Sequence, residues 1–217
     1  MYKNQLIELI QNQKDLSVLI VDLDGTLVDT MAVHKKGYML LFRQHGWNFD
    51  NKIWEEKGSM GGTEWLQEIL MANNVADPIK VANKLKRLKT KWFIENINQV
   101  NIINPVLDLI KWTRQNTNLK IVCATTALQE IVDKILDKYD LNGYFDLVLT
   151  AKDVPEGRLK PDPYIYNEVL KKLKVNAENS LVIEDSVVGC HSAMSANISC
   201  FNITTNIFQK PVEQSAR

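Results

Sequence analysis

Five short runs of mostly aliphatic residues set the architecture: 17–21, 119–124, 145–150, 181–183 and 198–203. None alternates apolar with polar residues, so each reads as a strand covered on both faces. Strands of that kind belong to a parallel sheet, whose neighbours are joined by helical crossovers. The later runs have such crossovers between them. Leu128, Ile131, Val132, Ile135 and Leu136 recur at helical spacing, as do Tyr164, Ile165, Val169, Leu170 and Leu173. The alternation predicts an α/β fold with a doubly wound, parallel, five-stranded sheet of Rossmann-like type.

The first two strands break this rhythm. They stand roughly a hundred residues apart, far more than one crossover helix needs. Residues 38–44, 63–71 and 79–97 read as helix, and Trp47, Trp54, Trp65 and Trp92 fall in the same stretch. The expectation is an inserted α-helical domain over 32–100 with its own small core, and a catalytic core built from 1–31 and 101–217. Gly37 and the 58–62 region are expected to act as hinges or tight turns. A short helix is expected at 5–11, and a frayed tail from Gln209 onward.

Several function classes are disfavoured. Lys plus Arg and Asp plus Glu are 26 each, and no basic stripe marks a nucleic-acid binder. Lys84, Lys86, Arg87, Lys89 and Lys91 read as a solvated helix face. The opening residues contain no long apolar run, so neither a secretory leader nor a membrane span is expected. Cys123, Cys190 and Cys200 are isolated in sequence and show no metal-ligand spacing. Cys123 and Cys200 read as small core residues, and a cytoplasmic, reducing location is expected.

The chemistry gathers at strand ends. Asp22-Leu23-Asp24-Gly25-Thr26 directly follows the first strand, and such sheets carry their sites at the carboxyl ends of strands. Asp22 and Asp24 stand two residues apart as the chain leaves the strand, and Gly25 permits a tight turn. A carboxylate nucleophile beside a second acid is the equipment for an acyl-phosphate intermediate. Thr125 follows the second strand, Lys160 the third, and Glu184-Asp185-Ser186 ends the fourth. One rim would then hold Asp22, Asp24, Glu184 and Asp185 against a single evident fixed cation, Lys160. Two like charges about 4 Å apart repel by roughly 4 kcal/mol near a surface, so a divalent cation with oxygen ligands is expected. Magnesium fits that donor set and a phosphate substrate.

The four motifs resemble those of the haloacid dehalogenase superfamily, in its branch of β-phosphoglucomutase-like phosphatases. They are Asp22 to Thr26 with Leu27-Val28-Asp29-Thr30, then Thr125, Lys160 before Pro161-Asp162-Pro163, and Glu184 to Ser186. The resemblance runs over nearly the whole chain past residue 17 and is weakest in the helical insert, which corresponds to the family's cap. It implies Asp22 as nucleophile and magnesium ligand, and Asp24 as general acid and base with a ligating carbonyl. It implies Asp185 as a further ligand, with Glu184 binding directly or through water. Thr125, the amide of Thr126 and Lys160 would hold the phosphoryl oxygens. The implied activity is magnesium-dependent hydrolysis of a small phosphorylated metabolite, with oligomeric state left open.

Blander readings stand beside these. Asp24 could only cap a helix, and Thr125 and Thr126 could cap the helix starting near Leu128. His34 could be structural or contact substrate or cap. Lys57 is a second candidate contact, because the related mutases place an Arg after a Lys-Gly pair; here Lys57-Gly58 is followed by Ser59-Met60-Gly61-Gly62-Thr63. That departure favours a phosphatase over the alternative, a phosphosugar mutase. A non-catalytic binding protein on the same fold is the remoter alternative.

Overall fold

The computed structural model describes residues 2–58 and 62–211. In chain order the elements are α1 (Tyr2–Asn12), β1 (Val18–Val21), β2 (Val28–Asp29), α2 (Met31–Gln44), α3 (Asn51–Lys57), α4 (Glu64–Ala72), α5 (Pro78–Glu95), β3 (Asn101–Ile102), α6 (Asn104–Asn116), β4 (Lys120–Ala124), α7 (Gln129–Lys138), β5 (Leu147–Leu149), α8 (Tyr164–Leu173), β6 (Ser180–Glu184), α9 (Val187–Ser195), β7 (Ser199–Asn202) and β8 (Ile207–Gln209). The main sheet runs β5-β4-β1-β6-β7-β8, and β2 pairs with β3 in a separate ribbon. Contacts divide the chain into two compact units: residues up to Val28 with those from Ile102 onward, and Asp29–Asn101.

In the first unit β1 lies between β4 and β6, parallel to both, with Ile20 beside Val122 and Val182. Val18 to Val21 are fully buried, as non-alternating strands covered on two faces require. Burying each such side chain contributes about 1.5–3 kcal/mol. Five strands are parallel as expected, but the sheet has a sixth. β8 pairs antiparallel with β7, placing Phe208 beside Phe201. Gln209, read as the start of a frayed tail, is therefore the last residue of an edge strand; residues from 212 lie outside the described ones. α6 and α9 are the helices between strands that periodicity had not marked. α6 buries Val106, Leu109, Ile110 and Thr113 at helical spacing behind Pro105. α9 packs with small residues, Gly189, Cys190, Ser192 and Ala193. Cys190 and Cys200 are not isolated in space, because their sulfurs lie 3.2 Å apart as free thiols. No described helix is long and apolar enough to cross a membrane.

The second unit is helical around an aromatic core of Tyr38, Phe42, Trp54 and Trp65 with Leu66, Ile69, Leu70 and Leu85. Tyr38 meets Trp65 edge-on at 5.0 Å. Two readings need correction. Gly37 is no hinge: it sits buried inside α2, where a Cβ would come within 2.8 Å of Trp92 Cε3. The missing side chain lets α2 and α5 approach closely. Of the basic residues on α5, Lys84, Lys86, Arg87 and Lys91 are exposed, but Lys89 is buried. Its ammonium lies 3.3 Å from His34 Nδ1 and 5.3 Å from the centre of the Tyr38 ring. Of the 58–62 region, Gly58 caps α3 with an ordinary helical φ of −64° and Gly62 takes φ +94°. Ser59, Met60 and Gly61 lie outside the described residues.

Candidate active site

The ladder of the central strand carries one residue past β1: the Asp22 amide donates to Ile183 O at 3.0 Å. This fixes the Asp22 carboxylate at the carboxyl rim of the sheet. The chain then turns sharply. Gly25 N donates to Val28 O at 2.8 Å and Val28 N to Leu23 O at 3.0 Å, with Gly25 at φ +84°. Only glycine suits that position, because the backbone is left-handed and a Cβ would fall 2.2 Å from Asp185 Oδ2. On the next strand, Thr125 N donates to Leu149 O at 3.0 Å, leaving its side chain at the same rim.

Lys160 reaches this rim from the loop before α8, where Lys160-Pro161 is a cis peptide. Its ammonium donates to Asp22 Oδ1 at 2.6 Å, Glu184 Oε1 at 2.6 Å and Ala124 O at 3.1 Å. All three of its donors are thus engaged by the protein. Its side chain is only 8% exposed, so these are buried ion pairs rather than surface ones. Burial alone would lower the Lys160 pKa, but the Asp22 and Glu184 carboxylates outweigh it and hold the ammonium charged.

One cation does not balance the acids. Oxygen atoms of Asp22, Glu184 and Asp185 all lie within 4.8 Å of one another. Burial, then the Glu184 charge, pushes the Asp22 pKa well up, and Lys160 only partly offsets this. Burial and Glu184 likewise push Asp185 up to about 6. A cluster of hard oxygen donors with excess negative charge is compatible with a metal site.

A family model described as haloacid dehalogenase-like hydrolase matches residues 19–203, from within β1 to just past β7. The chain belongs to the haloacid dehalogenase-like hydrolases. A phosphorylated carbohydrates phosphatase of Thermotoga maritima is 29% identical over 186 residues, covering 84% of this chain and 82% of that protein. A fructose-1-phosphate phosphatase of Escherichia coli is 23% identical over 188 residues, covering 85% and 95%. CbbY from Rhodobacter sphaeroides, solved with phosphate, shares the fold with a TM-score of 0.72 at 24% identity, covering 85% of this chain and 84% of that one.

Within this hydrolase, the strand ends bring together Asp22, Thr125, Lys160, Glu184 and Asp185. Asp24 sits in the turn, partly buried, outside the three-carboxylate group. Thr125 Oγ1 accepts from the Ala127 amide at 3.0 Å, while α7 begins later with Leu128 at its N-cap. Thr125 therefore holds its own loop and does not cap the helix; Thr126 follows it, partly buried. His34 and Lys57 belong to the helical unit. His34 stacks on Phe93 with centroids 4.1 Å apart, and burial and Lys89 hold its pKa well down. Lys57 donates to Glu68 Oε2 at 2.6 Å.

A supporting layer escaped the sequence reading. The Tyr166 hydroxyl donates to Glu184 Oε1 at 2.9 Å, and Lys160 Nζ lies 5.0 Å from the centre of the Tyr166 ring. Thr26 Oγ1 donates to Asp185 Oδ1 at 3.2 Å, and Asn202 Nδ2 to the Asp185 carbonyl at 3.1 Å. Neither Tyr166 nor Asn202 belongs to a motif or to the apolar spacing of its element. A Cβ on Gly189 would fall 2.0 Å from the Glu184 carboxyl, so this glycine leaves the room that the carboxyl occupies. Gly189→Ala is expected to destabilise the protein by about 1–3 kcal/mol through overpacking. A thermal melt matching the wild type would contradict that.

Proposed function

We propose that this hydrolase cleaves small phosphate monoesters, sugar phosphates foremost, through an aspartyl phosphate on Asp22. The observation that carries the reading is the buried Asp22 carboxylate, fixed by Lys160 at the sheet rim, with a second acid two residues on. Asp22 attacks phosphorus, the bond to the leaving oxygen breaks, and Asp24 gives that oxygen its proton. Asp24 then takes a proton from water as the water attacks phosphorus. The bond to Asp22 breaks, and inorganic phosphate leaves. Thr125 and the Thr126 amide are assigned to the phosphoryl oxygens. Lys160 aims Asp22 and partly offsets the rise in its pKa, and reaches a phosphoryl oxygen by exchanging one of its three present acceptors.

Asp22, Asp185, the Asp24 carbonyl and Glu184, directly or through water, would hold magnesium. Bound there, the ion supplies positive charge against the carboxylates and the phosphoryl oxygens. The unit Asp29–Asn101 is assigned the role of a cap that selects the leaving group, with His34 and Lys57 as candidate contacts. The names of the relatives, phosphatases of phosphorylated carbohydrate and of fructose 1-phosphate, support the substrate class. Three buried free thiols fit a reducing, cytoplasmic location.

The test is product analysis with a panel of sugar phosphates and magnesium, following inorganic phosphate and isomer together. Phosphate without isomer is expected. Isomer formed faster than phosphate would move the protein to the mutases, and no turnover of any ester would remove the reading.

The raised carboxyl pKa values also set a pH dependence. A carboxyl whose folded pKa lies above its unfolded value contributes stability that is complete below the unfolded value. For Asp185 that contribution is lost as pH rises from about 4 through about 6. Magnesium favours the ionised form and opposes the loss. Its effect on Tm is therefore expected to be small at about pH 5 and larger at about pH 8. Equal shifts at both would contradict the assignment of the metal to this cluster.

A further inference from the structure

The helical unit carries a concave feature made only of its own residues. A groove of about 720 Å³ runs between the outward face of α2 and the loop after it. That volume falls within the range of small-molecule sites, about 300–1,000 Å³. Its floor and far wall are apolar, formed by Met39, Trp47 and Phe49. The walls are fixed by packing: Phe42 meets Trp47 at 5.9 Å and Phe49 at 5.3 Å, both edge-on. His45 stacks behind Trp47 at 4.5 Å. Met39 is 43% exposed, and its flexible thioether adapts to a guest.

The charge in the lining has one sign. Lys35, Lys36 and Arg43 line it, and no acidic side chain does among the described residues. Glu55, 3.6 Å from Lys35, offsets one of these cations. Lys36 donates to the neutral Gln99 amide oxygen at 2.7 Å and has no ion-pair partner among the described residues. Arg43 stands exposed at the last turn of α2, without an ion-pair partner among the described residues. In a chain of zero formal net charge, this is a local excess beside a preformed apolar surface. Such a surface favours a ligand with an apolar body and an anionic end, because each part then meets its complement.

We propose that this groove is a binding site for a small amphipathic anion: an aromatic or short aliphatic body carrying one carboxylate, sulfonate or phosphate group. The aromatic walls take the body and Arg43 with Lys36 takes the head. None of these residues belongs to the proposed hydrolytic machinery, so the inference stands apart from that reading.

The experiment titrates the full chain with 8-anilinonaphthalene-1-sulfonate, reading its fluorescence and the quenching of tryptophan, and then displaces it with octanoate. Saturable one-to-one binding is expected, weakened by salt and by Arg43→Glu at least about tenfold. Met39→Glu is expected to weaken it similarly by placing a carboxylate in the apolar wall. Both positions are exposed, so unchanged circular dichroism and unchanged turnover of a phosphate ester are expected alongside. Binding that is unsaturable, or equally strong in both variants, would overturn the proposal. So would sedimentation showing a dimer that Met39→Glu dissociates, since the groove would then be covered by a second copy.

Discussion

Asp22→Asn is expected to lower turnover of a phosphate monoester by more than about a hundredfold, while the protein stays folded. An amide is a poor nucleophile and cannot form the acyl phosphate. The substitution also weakens the contact from Lys160, now a 2.6 Å ion pair. Yet the site carries more negative charge than Lys160 neutralises, and burial with Glu184 already pushes the Asp22 pKa up. Removing one of three crowded carboxylates relieves repulsion in the metal-free protein. Activity and stability should therefore part company: kcat collapses while the metal-free Tm holds or rises. Retention of more than about a hundredth of wild-type turnover would contradict covalent catalysis at Asp22.

Asp24→Asn is expected to slow both half-reactions, by about a hundredfold to ten-thousandfold for an ester whose leaving alcohol needs a proton. The two steps separate with 4-nitrophenyl phosphate, whose leaving group departs without protonation. Phosphorylation then survives better than water attack, which still lacks its base. The expected record is a burst of nitrophenolate followed by a slow steady state. A uniform slowing of both phases, with no burst, would contradict the acid and base role. The position of Asp24 supports it: it stands in the turn two residues after Asp22, outside the cluster of three carboxylates.

How much of this could be read from the chain differs from residue to residue. The parallel sheet was legible because strands buried on both faces lose their alternation, and residues 18–21 show that at its clearest. The rim followed, since an Asp, a Thr and a Glu-Asp pair each sit where such a run ends. What could not be read depends on contacts across long separations. Lys160 and Asp22 stand 138 residues apart, and nothing local says that the ammonium is shared among three acceptors. Tyr166 went unmarked because its hydroxyl partner, Glu184, arrives from β6. Gly37 shows the same limit: a lone glycine reads as freedom, but here it is the space that Trp92 fills. α9 went unmarked because small residues give no apolar stripe, and β8 because three residues on an edge carry too little pattern.

The most direct test of the central claim is to trap the intermediate. Asp24→Asn protein is mixed with 4-nitrophenyl phosphate and magnesium, quenched in acid, and weighed intact before peptide mapping. One added phosphoryl group per chain is expected, located on Asp22 and absent when Asp22 is also changed to asparagine. Turnover of the same ester by the wild type, with no adduct on Asp22 in the trapped variant, would contradict it.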